Sequence, residues 1–377
     1  MLLFSNRAAV FLKQSHRCWQ WLARLTRAVN QRWRPRRWSG KTSQLNLISH
    51  SLGKPDQYGR KIKCCLWLSK IVGWLSKVIA CCLRVEDIVD DFVFIRRVKI
   101  PKQQEQGEDK SPLLDFIFKG LKDAAQQRDN KEQIMELCNC RGKRVIKYYE
   151  TEIKEALNND DKNSKFDMIM DTVVKSEFDE SLLLWHIATD LCLLDDHKEG
   201  APMEHRARLR PIGETLSEYM LYLLIKQPEM LSATAGIGLL RYRDTREEAA
   251  RFFGSMAAWE PDHGDARKML LKVNTTKKPA EVKGDRSKSV LFDAVILAKA
   301  LRELDDGGLR WDVITGVWGE MLTYAAGKCR GSTHVRQLSR GGELITLVWF
   351  LMAHMGLGDM YQIQEGDAKA KLIVHDQ

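Results

Sequence analysis

The stretch "FDESLLLWHIATDLCLLDDH", residues 178–197, sets the reading of the whole chain. It holds a long apolar run with no proline or glycine, introduced by Ser176 and Asp179 in the S-x-x-D spacing that starts helices. A helix is therefore expected from Ser176. Period-3.6 patterning recurs through most of the remaining sequence, and the alternation of a half-buried strand is scarce. The expected fold is all-α: an irregular multi-helix bundle with charged linkers and a flexible basic N-terminal segment.

Further helices are expected in "PLLDFIFKGLKDAAQQ" (Leu114, Phe118 and Leu121 in step), "GETLSEYMLYLLIKQPEML" (closed by Pro228) and "EEAARFF" (with Thr245 and Glu248 as a capping box). Three more follow in "SVLFDAVILAKALREL", "WDVITGVWGEMLTYAAG" and "GELITLVWFLMAHMGLG". The last is apolar nearly all round but its apolar run is too short to span ~30 Å of hydrocarbon, which reads as a buried core helix. The glycines of "SRGGEL" shape the turn before it. Composition divides the chain into residues 1–85, a basic, Trp-rich, membrane-proximal helical region; 86–175, a charged linker with short helices; 176–253, a helical core region; 254–289, a second linker; 290–361, a C-terminal helical domain; and 362–377, a tail.

The 377 residues carry a net charge of +10, distributed unevenly. Residues 1–70 contain fifteen Lys and Arg and one acid, Asp56, so the basic excess lies at the N-terminus and the rest is slightly acidic. Six of the eleven tryptophans also fall within the first 74 residues. A helix is expected over about residues 5–33, broken at "RPRRWSGKTSQ" by Pro35. Trp33 and Trp38 interleaved with arginine suit a membrane interface, where indole sits at headgroup depth and guanidinium pairs with phosphate. The same mixture suits stacking on nucleic-acid bases, and a solvated basic arm has the same composition.

Within this region "CCLWLSKIVGWLSKVIACCL", residues 64–83, gathers Ser69, Lys70, Gly73, Ser76, Lys77 and Ala80 into one narrow polar stripe. Three readings stand: a soluble helix with its broad face buried, a helix lying on a membrane, or a span. A span would bury two ammonium groups at up to ~2.5–3.5 kcal/mol each. An interfacial helix would set Lys70 and Lys77 among headgroups with Trp67 and Trp74 at the boundary, and would make Cys64, Cys65, Cys81 and Cys82 S-acylation candidates. The nine cysteines follow no framework or zinc spacing, and a reduced cytosolic compartment is the default.

The strongest chemical constellation is Asp179, His186, Asp190 and His197. Their spacings of seven, four and seven keep them on one helix face at about 100° per residue. His186 and Asp190, four apart, are the metal-ligand or acid–base candidates. The alternative is structural: Asp179 favouring the helix dipole, and His186–Asp190 as a hydrogen bond on a partly exposed face. Cys329, His334 and His354 form a weaker Cys–His set, with a structural cysteine and surface histidines as the simpler account. No nucleotide-binding, zinc-protease or serine-hydrolase motif is present. No catalytic residue and no cofactor are expected.

"FDESLLLWHIATDLC", "RRWSGKTSQLNLIS", "LLDFIFKGLKDAA", "LSEYMLYLLIKQPEML" and the long "VWGEMLTYAAGKCRGSTHVRQLSRGGELITLVWFLMAHMGLG" together resemble an uncharacterised plant family, abundant in grasses. In it a multi-pass membrane region (domain of unknown function 4220) precedes a short C-terminal domain (domain of unknown function 594). The resemblance implies plant origin, an all-helical cytosolic part and association with a membrane protein; it implies no reaction. Family members usually carry several apolar spans upstream, and this chain looks like a shortened form or a fragment that begins after them. The resulting expectation is a non-enzymatic interaction or regulatory module, membrane-associated on the cytosolic side, or cytoplasmic if the short form is genuine. A protein partner and an anionic membrane surface are the expected contacts. Metal binding or hydrolysis at His186 and Asp190, and nucleic-acid binding by the basic segment, are the alternatives.

Overall fold

A computed structural model describes residues 41–53, 94–100, 103–105, 108–126, 136, 138–157, 162–194, 203–231, 235–256, 261–275, 289–304 and 308–357. The expectations for residues 1–40, for the 64–83 helix with Trp67, Lys70, Trp74, Lys77 and its four cysteines, and for Trp33, Trp38 and His197 lie outside the described residues.

The described chain is all-α apart from two small antiparallel ribbons. Strand β1 (Lys41–Gln44) and β2 (Arg96–Lys99) pair with Gln44 opposite Arg96, and β3 (Gln103–Glu105) pairs with β4 (Glu108–Lys110). Beside a 3-10 turn at Pro228–Met230, thirteen described α-helices make up the rest: α1 (Leu47–Ser51), α2 (Pro112–Gln126), α3 (Lys143–Tyr148), α4 (Glu150–Ala156), α5 (Lys162–Val174), α6 (Phe178–Cys192), α7 (Met203–Lys226), α8 (Ala235–Met256), α9 (His263–Leu271), α10 (Val290–Glu303), α11 (Gly308–Lys328), α12 (Gly331–Ser339) and α13 (Leu344–His354).

Helix α6 is the axis of the body. Every residue from Asp179 to Cys192 is buried, and α10, α7, α8, α9, α5 and α1 all pack on it. A helix covered on all sides has no solvent face for its polar residues, so each needs a partner inside the protein. Ser181 donates to the Thr172 carbonyl at 2.6 Å and Trp185 Nε1 to Thr172 Oγ1 at 3.0 Å, both on α5. Trp318 on α11 donates its indole N–H to Thr189 at 3.0 Å. These contacts fix the rotation of α6 as well as its position.

Helix α11 carries the C-terminal half of the core, burying Trp311, Ile314, Val317, Trp318, Met321 and Leu322 against α7 and α13. It also approaches α3 closely. A Cβ on Gly316 would lie 2.8 Å from Val145 Cγ1, and one on Gly142 would lie 2.9 Å from Val173 and 3.0 Å from Val317. Gly142 has φ +119°, a backbone shape that side chains disfavour, and it offers no side chain to cap α3. Glu320 of α11 does so from a distance: its carboxylate accepts from Gly142 N at 2.9 Å and from Val145 N and Arg144 Nε at 3.1 Å.

Several local expectations change. Ser176 does not cap α6; the capping position is Glu177, and Asp179 instead pairs with Arg241 at 2.6 Å. Thr245 and Glu248 start no helix, because α8 begins ten residues earlier. Thr245 donates to the Arg241 carbonyl within α8 at 2.7 Å, and Glu248 accepts from Ser289, the cap of α10, at 2.7 Å. Helix α7 begins at Met203 and runs through Pro211. Residues 263–271, read from composition as linker, form α9 with a reciprocal Asp262–Asp265 capping box. Helix α2 buries Leu113, Ile117, Leu121 and Ala124, so Leu114 and Phe118 sit beside the buried stripe and Phe118 is exposed. Helix α13 buries Leu344, Ile345, Val348 and Met352 but leaves Phe350 on the surface. Gly341 and Gly342, at φ +117° and +79°, do shape the turn before it. Among the described residues no helix is long and apolar enough to cross a membrane.

The Gly142 geometry gives a direct test. Gly142→Ala forces a strained backbone and a 2.9 Å contact, and is expected to lower unfolding stability by about 1–3 kcal/mol. Gly120→Ala, mid-helix in open space, is expected to raise it by about 0.4–1 kcal/mol. Denaturant titration of both variants reads the contrast.

Candidate functional site

The buried polar residues converge beneath α1. Asn46 caps this helix, its Oδ1 accepting from Ser49 N at 3.0 Å. Its amide nitrogen points the other way, donating to Asp190 Oδ1 of α6 at 3.0 Å and lying 3.5 Å from Glu218 Oε1 of α7. One side chain thus joins three helices.

Asp190 is 3% exposed and receives two further groups, both from α9. Arg267 Nη2 lies 2.7 Å from Oδ1, and His263 Nε2 lies 3.2 Å from Oδ2. Burial alone would raise the acid's pKa; Arg267 and His263 outweigh it and hold the carboxyl well below the usual carboxylate range. Glu218 has the opposite balance. Burial pushes its carboxyl up to about 7, although Arg96 of β2 donates to both its oxygens at 2.9 and 2.7 Å. Arg96 remains partly open to solvent, which weakens its pull.

His186, one turn before Asp190, completes the cluster. Its Nε2 accepts from Leu47 N at 3.2 Å, so the ring proton belongs on Nδ1, which meets Ser217 Oγ at 2.9 Å. Burial lowers its pKa to about 4 and keeps the ring neutral. The Leu47 N–H, in the first turn of α1, is one of the donors a helix start leaves without an internal partner. His186 supplies that acceptor from another helix.

The sequence-derived face is therefore divided. His186 and Asp190 share one cluster, but the imidazole nitrogens face Leu47 and Ser217, so the expected hydrogen bond between the two on a partly exposed face is not formed. Asp179, at the other end of α6, belongs to the Arg241 pair. Among the described residues no three His, Cys, Asp or Glu groups converge as a metal ion requires. Cys329 is buried, its thiol pushed up to about 11 by burial. His334 bonds the Ala326 carbonyl at 3.2 Å and Thr346 Oγ1 at 3.3 Å, and His354 is exposed at the end of α13. A separate cleft of about 330 Å³ between α6, α8 and α10 is lined by Glu180, Arg241, Asp244, Glu248 and Arg251. Its Arg241 is committed to Asp179 and its Glu248 to Ser289.

Asn46, Arg96, Glu218, His263 and Arg267 escaped sequence reading. Signals existed: Asn46 stands ahead of the short apolar start of α1, and Glu218 interrupts an apolar helix, which requires a cation nearby. Which cation was not legible.

The cluster makes two measurable statements. Asp190→Ala leaves Arg267 and His263 facing a desolvated gap, with an expected loss of about 3–5 kcal/mol in unfolding free energy by denaturant titration. The second concerns pH. The His186 ring, folded at about 4 against 6.5 unfolded, makes stability fall as pH drops between those values. Glu218, folded at about 7 against 4.5, makes stability fall as pH rises between them. Glu218→Gln removes only the second effect, so stability of the variant should climb more steeply than the parent's from about pH 4.5 to 6.5. Parallel profiles would contradict the assignment.

Residues 303–357, from the last residue of α10 through α13, match a family described as "Protein of unknown function, DUF594". The polar cluster lies entirely outside this matched segment. No curated protein and no solved structure matches the chain.

Proposed function

We propose that this chain is a non-enzymatic helical module that works through contacts with a membrane protein or the cytosolic membrane surface, with residues 1–85 supplying the cationic, Trp-rich contact. The observation that carries this reading is what the buried polar groups hold. Asn46, Asp190, His186, Glu218 and Arg96 fasten β1, α1 and β2 to the helical body. These are the stretches that border residues 1–40 and 54–93. The His50 and Phe94 rings lie 4.4 Å apart, so the described chain on either side of residues 54–93 meets at one place on the body. A firm mounting for a basic, Trp-rich segment suits an adaptor better than a catalyst, and the cluster's hydrogen-bonding groups are turned toward one another rather than toward an open cavity.

The purified full chain should sediment with vesicles containing phosphatidylserine and stay bound when RNA is added at physiological salt. Lys70→Ala with Lys77→Ala should weaken vesicle binding by roughly thirtyfold, since each surface cation contributes about 1 kcal/mol. A preference for RNA that persists at physiological salt would reverse the reading in favour of nucleic-acid binding. Retention on membranes after a carbonate wash would instead favour a spanning 64–83 helix.

A further inference from the structure

Helix α12 is built the wrong way round for a core helix. The residues it buries are polar: Thr333, His334 and Gln337. Its two aliphatic residues face out, Val335 at 59% and Leu338 at 43% exposure. Core-facing helices do the reverse. The inversion is stabilised from within, because His334 is hydrogen-bonded at both nitrogens and stacks on Trp349 of α13 at 4.7 Å. Trp349 in turn meets Phe350 edge-on at 5.1 Å, and Phe350 is 44% exposed. A run of three rings therefore passes from the buried side of α12, at His334, to the exposed side of α13, at Phe350.

The charge around these apolar tips has one sign. From Lys328 to Arg340 there are four cations, Lys328, Arg330, Arg336 and Arg340, all exposed, and no acid. The next acid, Glu343, is turned inward to Tyr219 at 3.4 Å. Among the described residues Glu229 lies 3.8 Å from both Arg336 and Arg340, one acid shared by two guanidinium groups. Aliphatic and aromatic tips flanked by arginine are the chemistry of an anionic lipid interface. A second copy of the same face would set these cations against each other.

We propose that the outward face of α12, with Phe350 of α13, is a peripheral contact for an anionic lipid surface. Val335, Leu338 and Phe350 enter the headgroup layer, and Arg330, Arg336 and Arg340 pair with lipid phosphates. This contact is separate from residues 1–85 and does not require them to bind lipid.

Hydrogen exchange on the full chain, read at residues 331–340, tests it locally. Vesicles of phosphatidylcholine with phosphatidylserine should slow exchange there several-fold. Pure phosphatidylcholine should not, and Val335→Asp with Leu338→Asp should abolish the slowing while leaving thermal unfolding unchanged. Unaltered exchange at 331–340 overturns the proposal even if the chain sediments with vesicles through its N-terminal region. So does equal slowing by neutral vesicles, or slowing that appears only with RNA or an added protein. Slowing at 331–340 in a chain whose Lys70→Ala and Lys77→Ala changes have no effect on vesicle binding supports this contact while counting against the N-terminal one.

Discussion

A carboxylate almost without solvent sits near the middle of this protein, and much of the architecture around it follows from that. An ionised Asp190 is tolerable only with charge and hydrogen bonds supplied by the protein. Two of its partners come from α9, a short helix whose own start is fixed by a capping box, and the third from the residue that opens α1. Because α6 is buried on every side, the carboxylate cannot turn out to water. The positions of α1 and α9 relative to α6 are therefore tied to one side chain.

The same economy appears at other helix starts. Leu47 N is met by His186, the first turn of α3 by Glu320, and Ile345 N of α13 by the Tyr219 hydroxyl at 3.1 Å. In each case the acceptor comes from a helix remote in sequence. A local cap stabilises one helix; a remote cap also fixes how two helices are placed. Removing Glu320 or Tyr219 thus disturbs packing as well as a helix end.

This explains what could be read from sequence and what could not. The bodies of α6, α10, α11 and α13 were legible because apolar runs with helical period depend on nearby residues alone. The remote caps were not. Ser176 and Thr245 had the right spacing and cap nothing, while the acceptors at the starts of α1, α3 and α13 lay more than a hundred residues away, where spacing carries no information. The all-α class survived because period dominates over caps. The placing of His186 and Asp190 on one helix face was legible; their division between Leu47 and Arg267 depends on α1 and α9, which composition had hidden in polar stretches. Similarity over residues 303–357 reaches α11 to α13 but says nothing of the cluster.

The ribbon of β1 and β2 has a consequence for the order in which the chain assembles. Asn46 is made early in synthesis, yet its partners lie 144 and 172 residues downstream. Arg267, which shares Asp190 with it, comes later still. Closing such long loops is entropically costly before the helices that reward it exist. The first part of the described chain to leave the ribosome is thus among the last to find its place. Until α6, α7 and α9 have met, the Asn46 side chain that ties β1 and α1 to the body has none of these partners.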